Sequence, residues 1–136
     1  MPGWELIGKE ERESLNNIFD ESNGVMFAHG FGHLRNNRYR VREFEQKLAN
    51  YFDVGSVLAT TSGTMAQYIA MRAMGIGPGD EVITQAFTFV ATVETILEIG
   101  AVPIVVDVDD SYNMDPIALE SAITENTRLI IPVHML

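Results

Sequence analysis

A chain of 136 residues with 46% apolar content is long enough for one domain with a core. Nineteen acidic residues against nine basic ones give a formal charge of −10, which argues against general nucleic-acid binding, because that requires a basic face to release counterions. No apolar run approaches the roughly 18 residues of a membrane span, the start "MPGWELIGKEERE" has no signal-peptide pattern, and the absence of cysteine removes disulfides, thiol nucleophiles and zinc–thiolate sites. The expectation is a soluble, cytoplasmic protein with neither nucleic acid nor membrane as partner.

Lys9 to about Glu21 carries Leu15, Ile18 and Phe19 on one stripe, which predicts an amphipathic helix, and Asn23-Gly24 supplies its C-cap. The glycine-rich stretch "VMFAHGFGHLRNNR" has no clean period and reads as a loop with room for a short strand. A second amphipathic helix is predicted over about Val41 to Phe52, with Val41, Phe44, Leu48 and Tyr51 or Phe52 facing inward. Arg35, Arg38, Arg40 and Arg42 cluster just before and into this helix. At least two of the four belong on a solvated surface. Arg35, Arg38 and Arg40 are also candidates for contacting a substrate's phosphates or a partner subunit.

The rhythm then changes to strand, turn, helix. Ser56 to Thr60 reads as a short buried strand and Thr64 to Met74 as a helix closed by Gly75. Glu81 to Thr84 is a strand, and "AFTFVATVETILEIG" passes from a loop into a helix ending at Gly100. Val102 to Val108 is a nearly continuous apolar strand, as a parallel sheet covered on both faces requires. Asp115-Pro116 opens a helix carrying Ile117 to Ile123, and Leu129 to Val133 is the last strand. Strands joined by helices of this length predict a mostly parallel, doubly wound α/β sheet with right-handed crossovers. The sequence stops at "IIPVHML", on the end of a strand and without a following loop or helix, so it reads as the N-terminal part of a longer protein.

"TTSGTMAQ" is the chemically suggestive turn. The first amide N–H groups of a helix have no intrahelical acceptor, and the helix dipole favours negative charge there. Gly63 allows close approach, and the hydroxyls of Ser62 and Thr64 add donors, so the turn suits a phosphate. A plain N-cap by Ser62 or Thr61 competes evenly with that reading. A Walker A loop is excluded because no lysine lies in or after the turn, and "GIGPGD" ends a helix instead of opening one, so it is no dinucleotide fingerprint. A mononucleotide, a flavin mononucleotide, a sugar phosphate and pyridoxal phosphate remain open. Phe87 and Phe89 begin the next helix, and one of them facing outward at the same sheet edge would stack on a planar heterocycle.

These residues resemble the DegT-type aminotransferases, fold type I pyridoxal-phosphate enzymes that act mostly on nucleotide sugars. The resemblance spans nearly the whole chain, through "ELIGKEE", "YRVREFEQKLANYF", "TTSGTMAQYIAMRAMGIGPGDEVITQAFTFVATVETI", "GAVPIVVDVDDSYNMDP" and "IIPVHML", the third being the most specific. It implies that residues 1–136 are the N-terminal portion of one such large domain. It further implies that Ser62, Gly63 and Thr64 receive the phosphate of pyridoxal 5'-phosphate and that Phe89 stacks on its pyridine ring. A small-molecule amino donor (glutamate), a keto-sugar substrate and a homodimer come with the family. Gln85 departs from it, since many relatives carry proline there. The Schiff-base lysine and the acid that pairs with the pyridine nitrogen would both lie beyond Leu136. Lys9 and Lys47, the only lysines, sit on amphipathic helix patterns and are expected to be solvated, so no catalytic residue is assigned.

Three other groups carry dull readings. His29 and His33 are four apart, but Gly30 and Gly32 make a helical metal pair improbable. Asp107, Asp109 and Asp110 fit a solvated turn after a strand, and His134 either points into the site or is satisfied by later parts of the fold.

Overall fold

A computed structural model describes residues 3–27 and 29–135, which fall into two compact units, 1–59 and 60–136. The last residue of "IIPVHML" and Ala28 of the glycine-rich loop lie outside the described residues.

The first unit holds two helices, α1 (Lys9–Ser22) and α2 (Arg40–Phe52). Gly8 N–H donates to the Glu11 carboxylate at 2.7 Å, half of a capping box, and Asn23 closes α1 with φ 50°. The loop between the helices contains a 3-10 turn at Gly32–Leu34 and no strand among its described residues. The expected inward stripe of α2 is not buried in this unit. Val41, Phe44, Tyr51 and Phe52 are exposed, Leu48 is half-buried, and Ala49 alone is buried. Two short helices cannot enclose a core, so the pattern marks an apolar face without supplying its cover.

The second unit contains α3 (Gly63–Ala73), β1 (Glu81–Gln85), α4 (Val90–Glu98), β2 (Val102–Val106), α5 (Pro116–Ala122) and β3 (Thr127–Ile131). All three strands are parallel, in the order β2-β1-β3. The chain steps from β1 to β2 in one direction and from β2 across β1 to β3 in the other. Right-handed crossovers then put α4 and α5 on opposite faces, which is the doubly wound arrangement expected. Asp115 caps α5 by accepting from Ile117 N–H at 2.9 Å, with Pro116 in the first turn.

Two expectations need correction. Residues 56–60 form no strand: none of the described ladders includes them, and Ala59 N–H is instead taken by the Glu45 carboxylate at 2.9 Å. A strand exists only through its partner, and none pairs with this segment among the described residues. The second correction concerns Val102–Val108, of which only Val102–Val106 is strand, with Val102 and Val105 exposed. Burial on both faces belongs to β1, where Val82, Ile83, Thr84 and Gln85 are all buried. An edge position accounts for the difference.

Met71 of α3, Val82 of β1 and Ile96 of α4 meet in one cluster with Ile76, Ile99 and Ala101. The cluster depends on two matching helix ends. Ile76 N–H bonds back to Met71 C=O at 3.0 Å, and Ala101 N–H to Ile96 C=O at 3.1 Å, with Gly75 and Gly100 at φ 79° and 83°. Each motif turns an apolar residue beyond the helix into the core. A Cβ on Gly100 would also meet Pro78 Cγ at 3.1 Å. Gly100→Ala is therefore expected to lower the unfolding free energy by about 1–2 kcal/mol, the cost of a left-handed residue with a Cβ. Gly77→Ala, where nothing lies within 4 Å, should stay near neutral; chemical denaturation of the two variants in the intact protein checks the contrast.

Candidate functional site

Helix α3 ends just before β1 begins, and α4 starts just after β1 ends. An 11-residue helix and a five-residue strand are both about 16 Å long. Both helices therefore begin at the carboxyl edge of β1 and run back alongside it. Gln67 and Thr95 join them midway through a hydrogen bond of 3.2 Å. Residues 62–64 and the loop 86–89 accordingly share one edge of the sheet.

Ser62 is the N-cap, with extended φ and ψ of −164° and 164°, and its Oγ accepts from Met65 N–H at 3.1 Å. Ser62 C=O accepts from Ala66 N–H at 3.0 Å and from the Thr60 hydroxyl at 2.9 Å. So the cap that competed with the phosphate reading is present. It satisfies one of the orphan donors. Among the described residues no acceptor is found for the N–H groups of Gly63 and Thr64, nor for the Thr64 hydroxyl. A Cβ at Gly63 would meet nothing within 4 Å, and on a helix it would tilt toward the N-terminal end, into the space before those amides. Free donors, a dipole end and a missing Cβ fit an oxyanion group such as a phosphate.

Within this unit, positive character at this edge can come only from the helix end, since no Lys or Arg stands here and Asp107, Asp109 and Asp110 follow β2 at the same edge. The only basic residues of the second unit are Arg72, in the last turn of α3, and Arg128, which pairs with Asp80 at 3.7 Å. Both stand at the opposite edge. A groove of about 810 Å³ between α3 and α4 is lined by Thr64, Met65, Tyr68, Glu94, Leu97 and Glu98. Its two carboxylates disfavour an anion, and it contains neither Ser62 nor Gly63, so the helix end is the better candidate.

Phe89 is the N-cap residue of α4 and is 68% exposed. Phe87 is 38% exposed, with its ring centroid 5.6 Å from that of Tyr112. Of the two aromatics, Phe89 faces outward and Phe87 is held by a neighbour.

A residue noted only as a departure turns out to organise this edge. Gln85, 1% exposed, donates from Nε2 to Phe87 C=O at 3.0 Å and to Tyr112 C=O at 3.3 Å. Its Oε1 accepts from Val133 N–H at 3.0 Å. The signal in the sequence was an amide at the end of a strand with a Val-Ile centre, which must find partners when buried or be costly.

The remaining candidates are drawn elsewhere. Arg35 is 5% exposed and donates to the carbonyls of Arg38, at 2.7 Å, and Phe27, while its guanidinium lies 4.6 Å from the Tyr39 ring centre. Arg38 and Arg40 bond Glu21 at 2.5 and 2.7 Å, and Arg40 also bonds Glu43 at 3.0 Å. The Arg42 guanidinium also lies over the Tyr39 ring, 4.5 Å from its centre. The cluster is thus a brace within the first unit, with Arg35 buried in it. Asp109 accepts from Ser111 N–H and Oγ, at 2.8 and 2.5 Å, within its own turn. Lys9 pairs with Glu13 at 3.5 Å and, like Lys47, is exposed, and His134 is exposed beyond β3. No group of three or more metal-ligating side chains occurs among the described residues, and no helix there is long and apolar enough to cross a membrane.

One edge of a parallel α/β sheet thus carries a helix end with free amides and an outward aromatic. The sequence pattern of the DegT/DnrJ/EryC1/StrS aminotransferase family matches residues 20–136, and the chain belongs to that family. It is 46% identical over 107 residues to the UDP-2-acetamido-2-deoxy-3-oxo-D-glucuronate aminotransferase of Pseudomonas aeruginosa, covering 75% of this chain and 30% of that protein. Against the 3-amino-5-hydroxybenzoate synthase of Amycolatopsis mediterranei the identity is 42% over 136 residues, covering 99% of this chain and 33% of the relative. The crystal structure of NtdA from Bacillus subtilis with bound cofactor PMP is similar with a TM-score of 0.81 at 38% identity, over 96% of this chain and 28% of that one. The chain therefore spans about a third of the length of the relatives it matches.

Two outcomes follow. Ser62→Ala should cost about 1 kcal/mol of stability through the lost cap, measured by denaturation of the intact protein. The Arg40 hydrogen bond, with the charges of Arg40 and Arg38, holds the Glu43 carboxyl below the ordinary carboxylate range. A depressed carboxyl stabilises fully above its unfolded value and fades as pH falls through the lowered one. Carbon-13 titration of Glu43 should show that low midpoint, and Arg40→Ala should raise it toward the ordinary value.

Proposed function

We propose that this chain is the amino-terminal, phosphate-holding portion of a pyridoxal 5'-phosphate-dependent aminotransferase large domain. The observation that carries the reading is the start of α3, where the Gly63 and Thr64 amides and the Thr64 hydroxyl have no acceptor among the described residues. In this role Ser62 orders the turn, Gly63 lets a phosphate approach the backbone, and Thr64 donates from both N–H and Oγ1. The dipole of α3 opposes the phosphate charge without a basic side chain from this unit. Phe89 lies against the face of the pyridine ring and keeps water from it. The cofactor, when bound, supplies the electron sink that lets an amino group pass between carbon skeletons.

The substrate pair we infer is a small-molecule amino donor, glutamate, and a keto sugar, nucleotide-linked, in amino-sugar, polysaccharide or antibiotic-sugar biosynthesis. The naming of the Pseudomonas aeruginosa relative supports the nucleotide-linked keto sugar, and glutamate is what the family resemblance implies. The similarity to a 3-amino-5-hydroxybenzoate synthase makes a non-sugar ring ketone the second substrate class to test. The reading extends, as the family resemblance implies, to a cytoplasmic homodimer. Two other readings make different forecasts: a lyase or dehydratase of the same fold would release a group from the sugar without adding nitrogen, and a binding module would do neither. Incubating the protein of the complete reading frame with glutamate and a nucleotide-linked keto sugar should give an amino sugar and 2-oxoglutarate in equal amounts.

Thr64→Ala should weaken retention of pyridoxal 5'-phosphate by about 1–3 kcal/mol, the worth of a charge-assisted hydrogen bond; equilibrium dialysis measures it, and unchanged affinity would return the turn to a plain cap. Phe89→Ala should alter both the cofactor's absorption spectrum and its affinity, whereas Phe87→Ala should mainly lower the melting temperature.

A further inference from the structure

We propose that Gln85 is a positioning residue that sets the aromatic at position 89, a role that rests on the cofactor reading above. Gln85 ends β1 at the carboxyl edge, and its side chain uses both Nε2 hydrogens and Oε1 on three separate segments. These are the loop leading to α4, through Phe87 C=O at 3.0 Å, the loop after β2, through Tyr112 C=O at 3.3 Å, and the chain after β3, through Val133 N–H at 3.0 Å. No buried side-chain nitrogen or oxygen lacks a partner among the described residues. A buried amide at the end of a buried strand is tolerated because every bond is made.

The consequence for Phe89 follows from the chain between them. Ala86 N–H is anchored to Val106 C=O at 2.8 Å, and Gln85 holds the carbonyl of Phe87 one residue later. Thr92 N–H then takes Phe89 C=O at 3.0 Å, and the Thr88 and Thr92 hydroxyls bond at 2.9 Å. The backbone is therefore fixed on both sides of residue 89, which leaves its ring facing outward. Gln85 also holds the far side of the packing. Tyr112 adopts φ 61°, a left-handed conformation unusual for an aromatic residue, and its carbonyl is bound by Gln85 while its ring lies against Phe87. Such strain persists where surrounding contacts enforce it. One side chain thus couples the strained loop, the buffering ring of Phe87 and the presenting backbone of Phe89.

The test uses the protein of the complete reading frame and two variants. Gln85→Met keeps the side chain's length and removes all three bonds. Gln85→Glu keeps an acceptor for Val133 N–H and removes the donors to the carbonyls of Phe87 and Tyr112, so it also serves if the first variant does not fold. Hydrogen–deuterium exchange should rise in segments 86–92, 109–115 and 132–135 for Gln85→Met, and in only the first two for Gln85→Glu. Pyridoxal 5'-phosphate affinity should fall about tenfold in Gln85→Met, the loss of roughly one net hydrogen bond. Gln85→Met in a Phe89→Ala background should cost nothing further. Unchanged exchange across 86–92, or equal losses with and without Phe89, would overturn the proposal. If the unaltered protein binds no cofactor, the functional reading fails, and the exchange pattern alone then decides whether Gln85 holds the loop.

Discussion

The central strand β1 is the constraint on which the rest depends. It is hydrogen-bonded on both edges, to β2 and β3, and its residues from Val82 to Gln85 are buried on both faces. A strand so enclosed has one free end for chemistry, the carboxyl edge. The helices before and after it have lengths that match it, so both must begin there. That is why an N-terminal helix turn and an aromatic loop, separated by more than twenty residues of sequence, face the same space. Geometry of this kind places binding loops beyond the carboxyl ends of parallel strands in open α/β sheets.

In the proposed role of that edge, the donors offered to an anion are peptide groups instead of side-chain cations. Arg72 and Arg128 lie at the other edge, and the four clustered arginines of the first unit are occupied by Glu21, Glu43, Tyr39 and backbone carbonyls. Backbone donors cannot swing away or be neutralised by a change in pH, so a site built from them is fixed when α3 folds. The same helix end carries both of the competing readings. Ser62 caps one amide and leaves two, which suits a turn that must be stable before a ligand arrives and still have donors to offer.

Polar groups do the remaining organisation. Gln85 joins three loops, Thr84 reaches the Ile131 carbonyl at 3.0 Å, and Gln67 bridges to Thr95. Each sits at a point where two segments distant in sequence must keep a fixed spacing. Apolar contacts fill the core beneath them but are not directional, whereas a hydrogen bond specifies which atom faces which. The edge that presents Phe89 is therefore held by directional bonds above a core held by packing.

Much of this was legible from residues alone, because the relevant physics is local. Asn23, Gly75, Gly100 and the Asp115-Pro116 pair announce where helices stop and start through backbone preferences that need no neighbours. The hydroxyl–glycine turn and its helix follow from capping chemistry in the same way, as does the alternation that predicts a doubly wound sheet. What required the tertiary structure was every property that belongs to a pair of segments. Residues 56–60 look like a strand and find no partner, the stripe of α2 is apolar but lies uncovered within its unit, and β2 is apolar yet sits at an edge. Arg35 reads as a candidate for a substrate's phosphates or a partner and is buried in a brace, and Gln85 reads as a departure from the family's proline and ties together three loops. The sequence by itself determined local conformation and the family, since both reside in short-range pattern; pairing, burial and which loop meets which were decided only by the folded chain, because they depend on contacts between residues whose separation in sequence carries no signal of their meeting.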